Sequence, residues 1–303
     1  MKDEARSGFG VADGILVVLI TVWGANYSVI KASFAYLTPL TFNAARFLLA
    51  TVTVLSLVKL SGESLRLPKR DLERAAVAGL LANTVYQLFF IEGLARTTAG
   101  NAALIQATMP LQVAVLSHCL GREKLAPTAW GGVFLASAGL VMLITGKHQV
   151  AVGLDHLAGD ALMFGAAFTW ACYTLYVHPL LSRAPATRVT AVGFLAGTPP
   201  LVLVAVPELL AQRWGALPLK AWGGLAFSGI LAIGLGYLGW NFALRRLGST
   251  RTSVYSNATP VVAAFVAWVT LGERWSPRQL LGALLVLAGV VITRRSRGPR
   301  GEA

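Results

Sequence analysis

One stretch of this chain is written twice. Asn101–Leu143 aligns without a gap on Arg251–Thr293, 150 residues further on. The register matches Pro110 with Pro260, Glu123 with Glu273, Pro127 with Pro277, Gly132 with Gly282 and Gly139 with Gly289. Each copy reads as an apolar helix with a proline inside it, a short turn carrying a glutamate, and a second apolar helix opened by proline. Any two apolar segments can share one proline. Two prolines, a lone acid and two glycines in register mark an internal duplication. Earlier segments echo too: Asp13 to Trp23 parallels Asp160 to Trp170, and Pro39 parallels Pro185.

The solvent of the repeated unit follows from its composition. Hydrophobic residues are 55% of the chain and charged residues 13%, about half the charged share of an average soluble protein. The apolar residues come in blocks of about 20, the length of helix that crosses a bilayer's hydrocarbon. Ten spans are expected, at 13–35, 40–59, 74–94, 98–119, 127–145, 157–180, 187–207, 219–243, 251–271 and 277–293. Prolines punctuate them, as at Thr38-Pro39, Ala126-Pro127, Ala184-Pro185 and Ser276-Pro277. A proline in a helix's first turn costs nothing, because that N–H has no acceptor within the helix. The expected fold class is all-α: a polytopic membrane protein of ten transmembrane helices in two inverted five-helix repeats. The repeats occupy 12–145 and 157–294, and a basic cytoplasmic tail follows at 295–303.

The inversion comes from charge. Of the 26 Lys and Arg, 18 lie at the two termini and in every second loop, against 6 in the alternate loops. The positive-inside rule then places both termini in the cytoplasm. Five spans are an odd number, so the second copy must cross the membrane in the opposite sense to the first. The turn with Glu123 falls inside and the turn with Glu273 outside. Inverted repeats of this kind build alternating-access transporters, with the substrate held near the midplane between the halves. The net charge of +13 sits in loops rather than on one amphipathic face, so no nucleic-acid partner is expected. Gly14 to Phe34 is too long for a signal h-region and lacks a small-residue cleavage site after it. Cys119 and Cys172 lie inside apolar blocks and build neither a disulfide framework nor a metal site. No nucleotide-binding loop is present, and no cofactor is expected.

Two halves of five spans, a Trp midway along spans 1 and 6, and the Pro…Glu…Pro…Gly…Gly ending of each half resemble the drug/metabolite transporter superfamily. The resemblance is to its EamA-type ten-helix exporter branch. It covers residues 12–294 and is strongest from Asn257-Ala-Thr-Pro260 through Leu271-Gly272-Glu273-Arg274 to Gly289. The first copy departs from the pattern, with Gly121-Arg122-Glu123 where a glycine would directly precede the glutamate. The resemblance implies export of small metabolites or drugs across a bacterial inner membrane.

Four spans repeat one spacing of polar and aromatic residues. Span 1 carries Trp23, Asn26 and Tyr27; span 3 carries Asn83, Tyr86 and Gln87. Span 6 carries Trp170, Tyr173 and Thr174; span 8 carries Tyr237, Trp240 and Asn241. Positions i, i+3 and i+4 share a helix face, and hydrogen-bonding groups are costly toward lipid. The four faces are therefore expected to surround a shared substrate cavity, with Trp23 and Trp170 on opposite walls. Polar ties between packed helices are the alternative.

Among the few charges within spans, Lys31, Arg46 and Glu92 fall in the outer half of the membrane and have no charged counterpart in the second half. Glu92 is either a proton site or one half of an ion pair with Arg46 or Lys31, and the pair is the simpler reading. Glu123 and Glu273 precede proline-opened helices, where an acid complements the N-terminal dipole. His118 has no partner that the sequence names. Gly132 with Gly139, and Gly282 with Gly289, put small faces on spans 5 and 10, for packing within one chain or for a homodimer. Acid pairs at Asp3-Glu4 and at Asp71 with Glu73 lie outside the spans, so membrane-enzyme chemistry is not expected. The reading is a secondary transporter exporting small amphiphilic metabolites, amino acids or aromatic compounds, with the bilayer and the solute as its partners. A passive facilitator of neutral solutes and a multidrug exporter are the alternatives.

Overall fold

A computed structural model describes residues 9–97, 102, 105, 106, 108–145, 157–262, 265 and 276–296, the side chains of Tyr27, Ser28 and Lys31 excepted. All secondary structure among them is helical. In chain order the helices are α1 (Val11–Ser33), α2 (Pro39–Leu60), α3 (Lys69–Arg96), α4 (Met109–Cys119) and α5 (Pro127–Thr145), then α6 (Leu157–Leu181), α7 (Ala186–Ala211), α8 (Leu219–Leu247), α9 (Ser249–Val254) and α10 (Pro277–Arg295). Helix starts follow the proline signals. Thr38 caps α2 ahead of Pro39, and Ser276 forms a reciprocal cap with Gln279 ahead of Pro277.

Six of these helices are long and apolar enough to cross a membrane: α2, α3, α5, α7, α8 and α10. At 23 and 25 residues, α1 and α6 also have the length for about 30 Å of hydrocarbon. In α1 the stretch Val11–Asn26 is apolar, whereas the apolar character of α6 is diluted by Asp160, Thr169 and His178. Helices α4 and α9 are shorter than spans 4 and 9, whose remaining residues, Glu273's turn and the tail beyond 296 lie outside the described set. The described residues therefore support several spans without fixing their number at ten.

Helices α5 and α10 make the most extensive contact in the fold, running antiparallel. A Cβ at Gly139 would stand 2.7 Å from the Gly282 carbonyl oxygen, and one at Gly289 would stand 2.4 Å from the Ala136 nitrogen. In lipid there is no hydrophobic gain from hiding Leu from solvent, so close backbone approach through small residues holds such pairs together. The glycine faces are thus spent on each other within one chain. A homodimer through these two faces is therefore not supported, because they pack against each other within one chain.

The next most extensive contacts also cross between the halves. Helix α2 packs on α7, α1 on α8, α3 on α6 and α7, and α4 on α6 and α9. Polar groups tie the helix ends. Glu123 accepts from the backbone N–H of Ser249 at 2.5 Å and of Thr250 at 3.2 Å. It caps α9, more than a hundred residues away, and not the neighbouring α5 as the sequence suggested. The reason is a sharp turn at Gly248, whose φ of +82° only glycine adopts freely and which brings the first N–H groups of α9 onto the carboxylate. Asp13 in α1 is 1% exposed and receives Arg294 from α10 through two bonds of 2.5 and 3.0 Å, with the Tyr255 hydroxyl at 2.6 Å. Asp160, its counterpart in the second half, accepts from Thr97 at 2.5 Å.

Two stability outcomes follow. Gly282→Leu overpacks the α5–α10 contact by about 1–3 kcal/mol or more and is expected to lower the melting temperature in detergent, whereas Gly131→Leu, with open space around its Cβ, leaves it unchanged. Glu123→Ala strips two N–H groups of their acceptor and is expected to cost about 1–2 kcal/mol; an unshifted thermal melt would show the cap to be idle.

Candidate functional site

Two of the helices that cross the bundle share an irregularity. Helix α3 widens to π winding over Leu80–Val85, and α8 does so over Phe227–Leu235. The first contains Asn83 of the α3 polar face, and the second ends two residues before Tyr237 of the α8 face. Such local bulges shift a helix face and free carbonyls from the regular ladder. Trp23 of α1 donates its indole N–H to one carbonyl within the second, that of Ala232, at 2.8 Å.

Aromatic residues from all four polar faces meet. Trp170 of α6 is the hub. Its ring centroid lies 4.9 Å from Tyr86, 5.1 Å from Tyr173, 5.2 Å from Tyr237, 5.7 Å from Trp240 and 6.2 Å from Trp23. Trp23 and Trp240 are 5.5 Å apart. Edge-to-face and tilted pairs of this kind each add about 0.5–1.5 kcal/mol beyond burial. The expectation of Trp23 and Trp170 on opposite walls of a cavity is corrected here: the two rings touch edge to face. Six large rings brought to one level fill the space between them.

A cavity opens beside this cluster, between α3, α6, α7 and α8, with about 230 Å³ of atom-free space including its mouth. Asn83, Tyr173, Thr190, Phe194, Tyr237 and Asn241 are among its walls. The enclosed room within it is about 10 Å³, roughly the space of one water molecule, so a solute enters only if the centre opens. Tyr173 donates to Asn241 Oδ1 at 2.9 Å, Asn241 donates to Thr190 Oγ1 at 2.9 Å, and Asn83 donates to the Gly193 carbonyl at 3.1 Å. Several buried polar atoms at this level have no hydrogen-bond partner among the described residues: Asn26 Oδ1, Asn83 Oδ1, Thr174 Oγ1 and Trp240 Nε1. An unpaired buried polar group costs about 1–3 kcal/mol, so this centre is not arranged for packing alone.

A second polar group adjoins the first. Arg46 of α2 is 2% exposed. Its Nε and one terminal nitrogen donate to Asn43 Oδ1 at 2.9 and 2.7 Å. It also reaches Gln87 Oε1 at 3.0 Å and Ser228 Oγ at 3.3 Å. The other end of the Gln87 amide donates to the Tyr237 hydroxyl at 3.2 Å, which joins the guanidinium to the cavity wall. Glu92 does not take part. It pairs with Arg96 one turn along α3, toward the exposed helix end. The expected pairing of Glu92 with Arg46 is therefore not made, because Glu92 has a cation of its own at ordinary helical i,i+4 spacing. The side chains of Lys31 and Tyr27 lie outside the described set.

The sequence missed some of these participants. Asn43 was legible as the residue one turn before Arg46. Ser228 sits in the glycine-rich part of span 8 with nothing to single it out, and Thr190 has no signal at all. Asp13 was visible only as the repeat partner of Asp160. His118, unassigned from sequence, lies edge to face with Trp130 at 5.8 Å, away from the centre.

Comparison with known proteins gives this arrangement its context. A protein of Streptantibioticus cattleyicolor named "Probable terminal-alkyne amino-acid exporter" is 27% identical over 95% of both chains. A "Probable amino-acid metabolite efflux pump" of Salmonella typhimurium is 29% identical over 92% of this chain and 94% of its own. An "Uncharacterized transporter" of Archaeoglobus fulgidus is 28% identical over 93% and 98%. A solved crystal structure shares the fold with a TM-score of 0.79, at 21% identity over 93% of this chain and 95% of that one. The EamA-like transporter family matches twice, at residues 11–145 and 157–295, and with both halves of the chain covered, this protein is a membrane transporter that belongs to that family.

Proposed function

We propose that the protein is a secondary transporter that exports small amphiphilic metabolites, amino acids foremost, across the inner membrane by alternating access between two inverted halves. The observation that carries this reading is the centre itself: rings and unpaired polar atoms from α1, α3, α6 and α8 converging beside a small cavity. A bundle held together only by packing gains nothing from leaving buried amides and an indole N–H unpaired. A planar solute with hydrogen-bonding groups can stack on the rings and satisfy those atoms.

The contact pattern supports the inverted reading. Exchange the halves, so that α1 trades places with α6 and α3 with α8: the α1–α8 contact becomes the α6–α3 contact, and both are present. The pairs α2–α7, α4–α9 and α5–α10 map onto themselves. A pseudo-twofold axis between two equivalent units gives this result. The names of the Streptantibioticus and Salmonella relatives favour amino-acid-like cargo.

Cells that overproduce the protein are expected to survive toxic amino-acid analogues that inhibit the parent strain. Trp170→Ala removes the ring that every other member of the cluster touches and is expected to abolish the protection, with Trp170→Phe retaining part of it. Truncating a buried Trp costs about 3–5 kcal/mol, so membrane abundance is measured alongside. An abundant Trp170→Ala protein that still protects fully would remove the aromatic centre from the transport path.

A further inference from the structure

We infer that Arg46 is the receptor for the carboxylate of the transported solute, an inference that rests on the exporter reading above. The guanidinium is buried, yet none of its described partners carries a negative charge. Asn43, Gln87 and Ser228 supply neutral acceptors, and the faces of Phe42 and Phe47 lie 5.5 and 5.9 Å away. Among the described residues it is the one basic side chain with under a tenth of its surface exposed. A buried charge without a counter-charge is expensive, and an apolar residue of similar volume at the same place would be cheaper. Within a membrane such a residue marks a substrate or ion path.

The local geometry points to what the missing counter-charge is. The guanidinium has five N–H groups, and four bonds reach described acceptors, the Ser228 bond being long at 3.3 Å. Asn43 turns its oxygen to Arg46, and its Nδ2 is buried without a described acceptor. A planar anion arriving here can take the free N–H, displace the weak Ser228 bond and accept from Asn43. A carboxylate that also takes the place of Gln87 at the other terminal nitrogen matches the guanidinium fork with two parallel hydrogen bonds. A phosphate brings a second negative charge that this single buried cation leaves unbalanced.

The position suits cargo as well as the charge does. Arg46 joins Gln87, Gln87 joins Tyr237, and Tyr237 is at once a wall of the cavity and a neighbour of Trp170. A solute whose carboxylate sits at Arg46 can lay an apolar side chain along the rings. Asn83, one turn before Gln87 on α3, has a buried Oδ1 without a described donor, an acceptor of the kind an ammonium group needs. The cargo class is thus a monocarboxylate with an apolar, preferably planar, side chain. Position 46 has no basic counterpart in the second half, where Val192 stands nearest in register, so the solute is held in one orientation.

The test uses full-length protein in proteoliposomes loaded with the proteinogenic L-amino acids or with their carboxamides, which keep the side chain and ammonium but lose the negative charge. The wild type is expected to export acids, aromatic ones among the best, at least about tenfold faster than the matching amides, the factor that 1.4 kcal/mol represents. Arg46→Gln is expected to erase that preference by slowing the acids and not the amides. If Arg46→Gln does not yield monodisperse protein, Arg46→Lys decides: it keeps the charge without the fork, and a raised KM for acids alone is expected. Equal export of acids and amides by the wild type would overturn the role of Arg46 and leave the exporter reading standing. Unchanged acid export by a folded Arg46→Gln, or an unchanged KM in Arg46→Lys, would do the same. Export of neither set would overturn the exporter reading, and this inference with it.

Discussion

No water reaches the hydrocarbon core to hydrogen-bond a stray polar group, and the organisation of this chain follows from that constraint. Every amide, hydroxyl and indole N–H on a spanning helix must turn inward or be lost in lipid at several kcal/mol. In α1, α3, α6 and α8 such groups recur at i, i+3 and i+4, so each helix has one face that must look at the bundle's centre. Four such faces in one bundle can only look at each other. The cluster around Trp170 is the result. The same constraint explains why Trp23 donates to a carbonyl inside the π stretch of α8, which closes a backbone group that nothing else in the membrane would close.

Much of this was legible in the sequence because it depends on period and punctuation. The proline-opened starts of α2, α5 and α10 and the convergence of the polar faces need only local spacing. What was not legible depends on distance in three dimensions. The partner of Glu123 is set by the turn at Gly248, which repeat alignment gives no reason to bring near it. Arg46 and Glu92 read as a pair because both stood alone in apolar spans. The structure gives Glu92 to Arg96 and leaves Arg46 to amides and a hydroxyl. The close contact of Trp23 and Trp170 was hidden for another reason: sequence shows which residues face inward, not whether the space between them is filled.

The contact between Trp23 and Trp170 bears on the proposed function. Rings in contact make a centre that must open for a solute to pass, which the proposed alternating access would supply by rocking one half against the other. The antiparallel glycine contact of α5 and α10 gives the two halves a close, self-complementary seam. The ties at Asp13–Arg294 and Glu123–Ser249 hold first-half residues to α9 and α10. Such end contacts are the ones a rocking motion must break and remake.

All of this requires the two halves to cross the membrane in opposite senses. Accessibility of single cysteines in a background lacking Cys119 and Cys172 measures that directly. With cysteine at Ser61, after α2, and at Ala216, in the equivalent connection after α7, an impermeant thiol reagent is expected to label the first from the cytoplasm and the second from the exterior. Labelling of both from the same side would contradict the inverted arrangement.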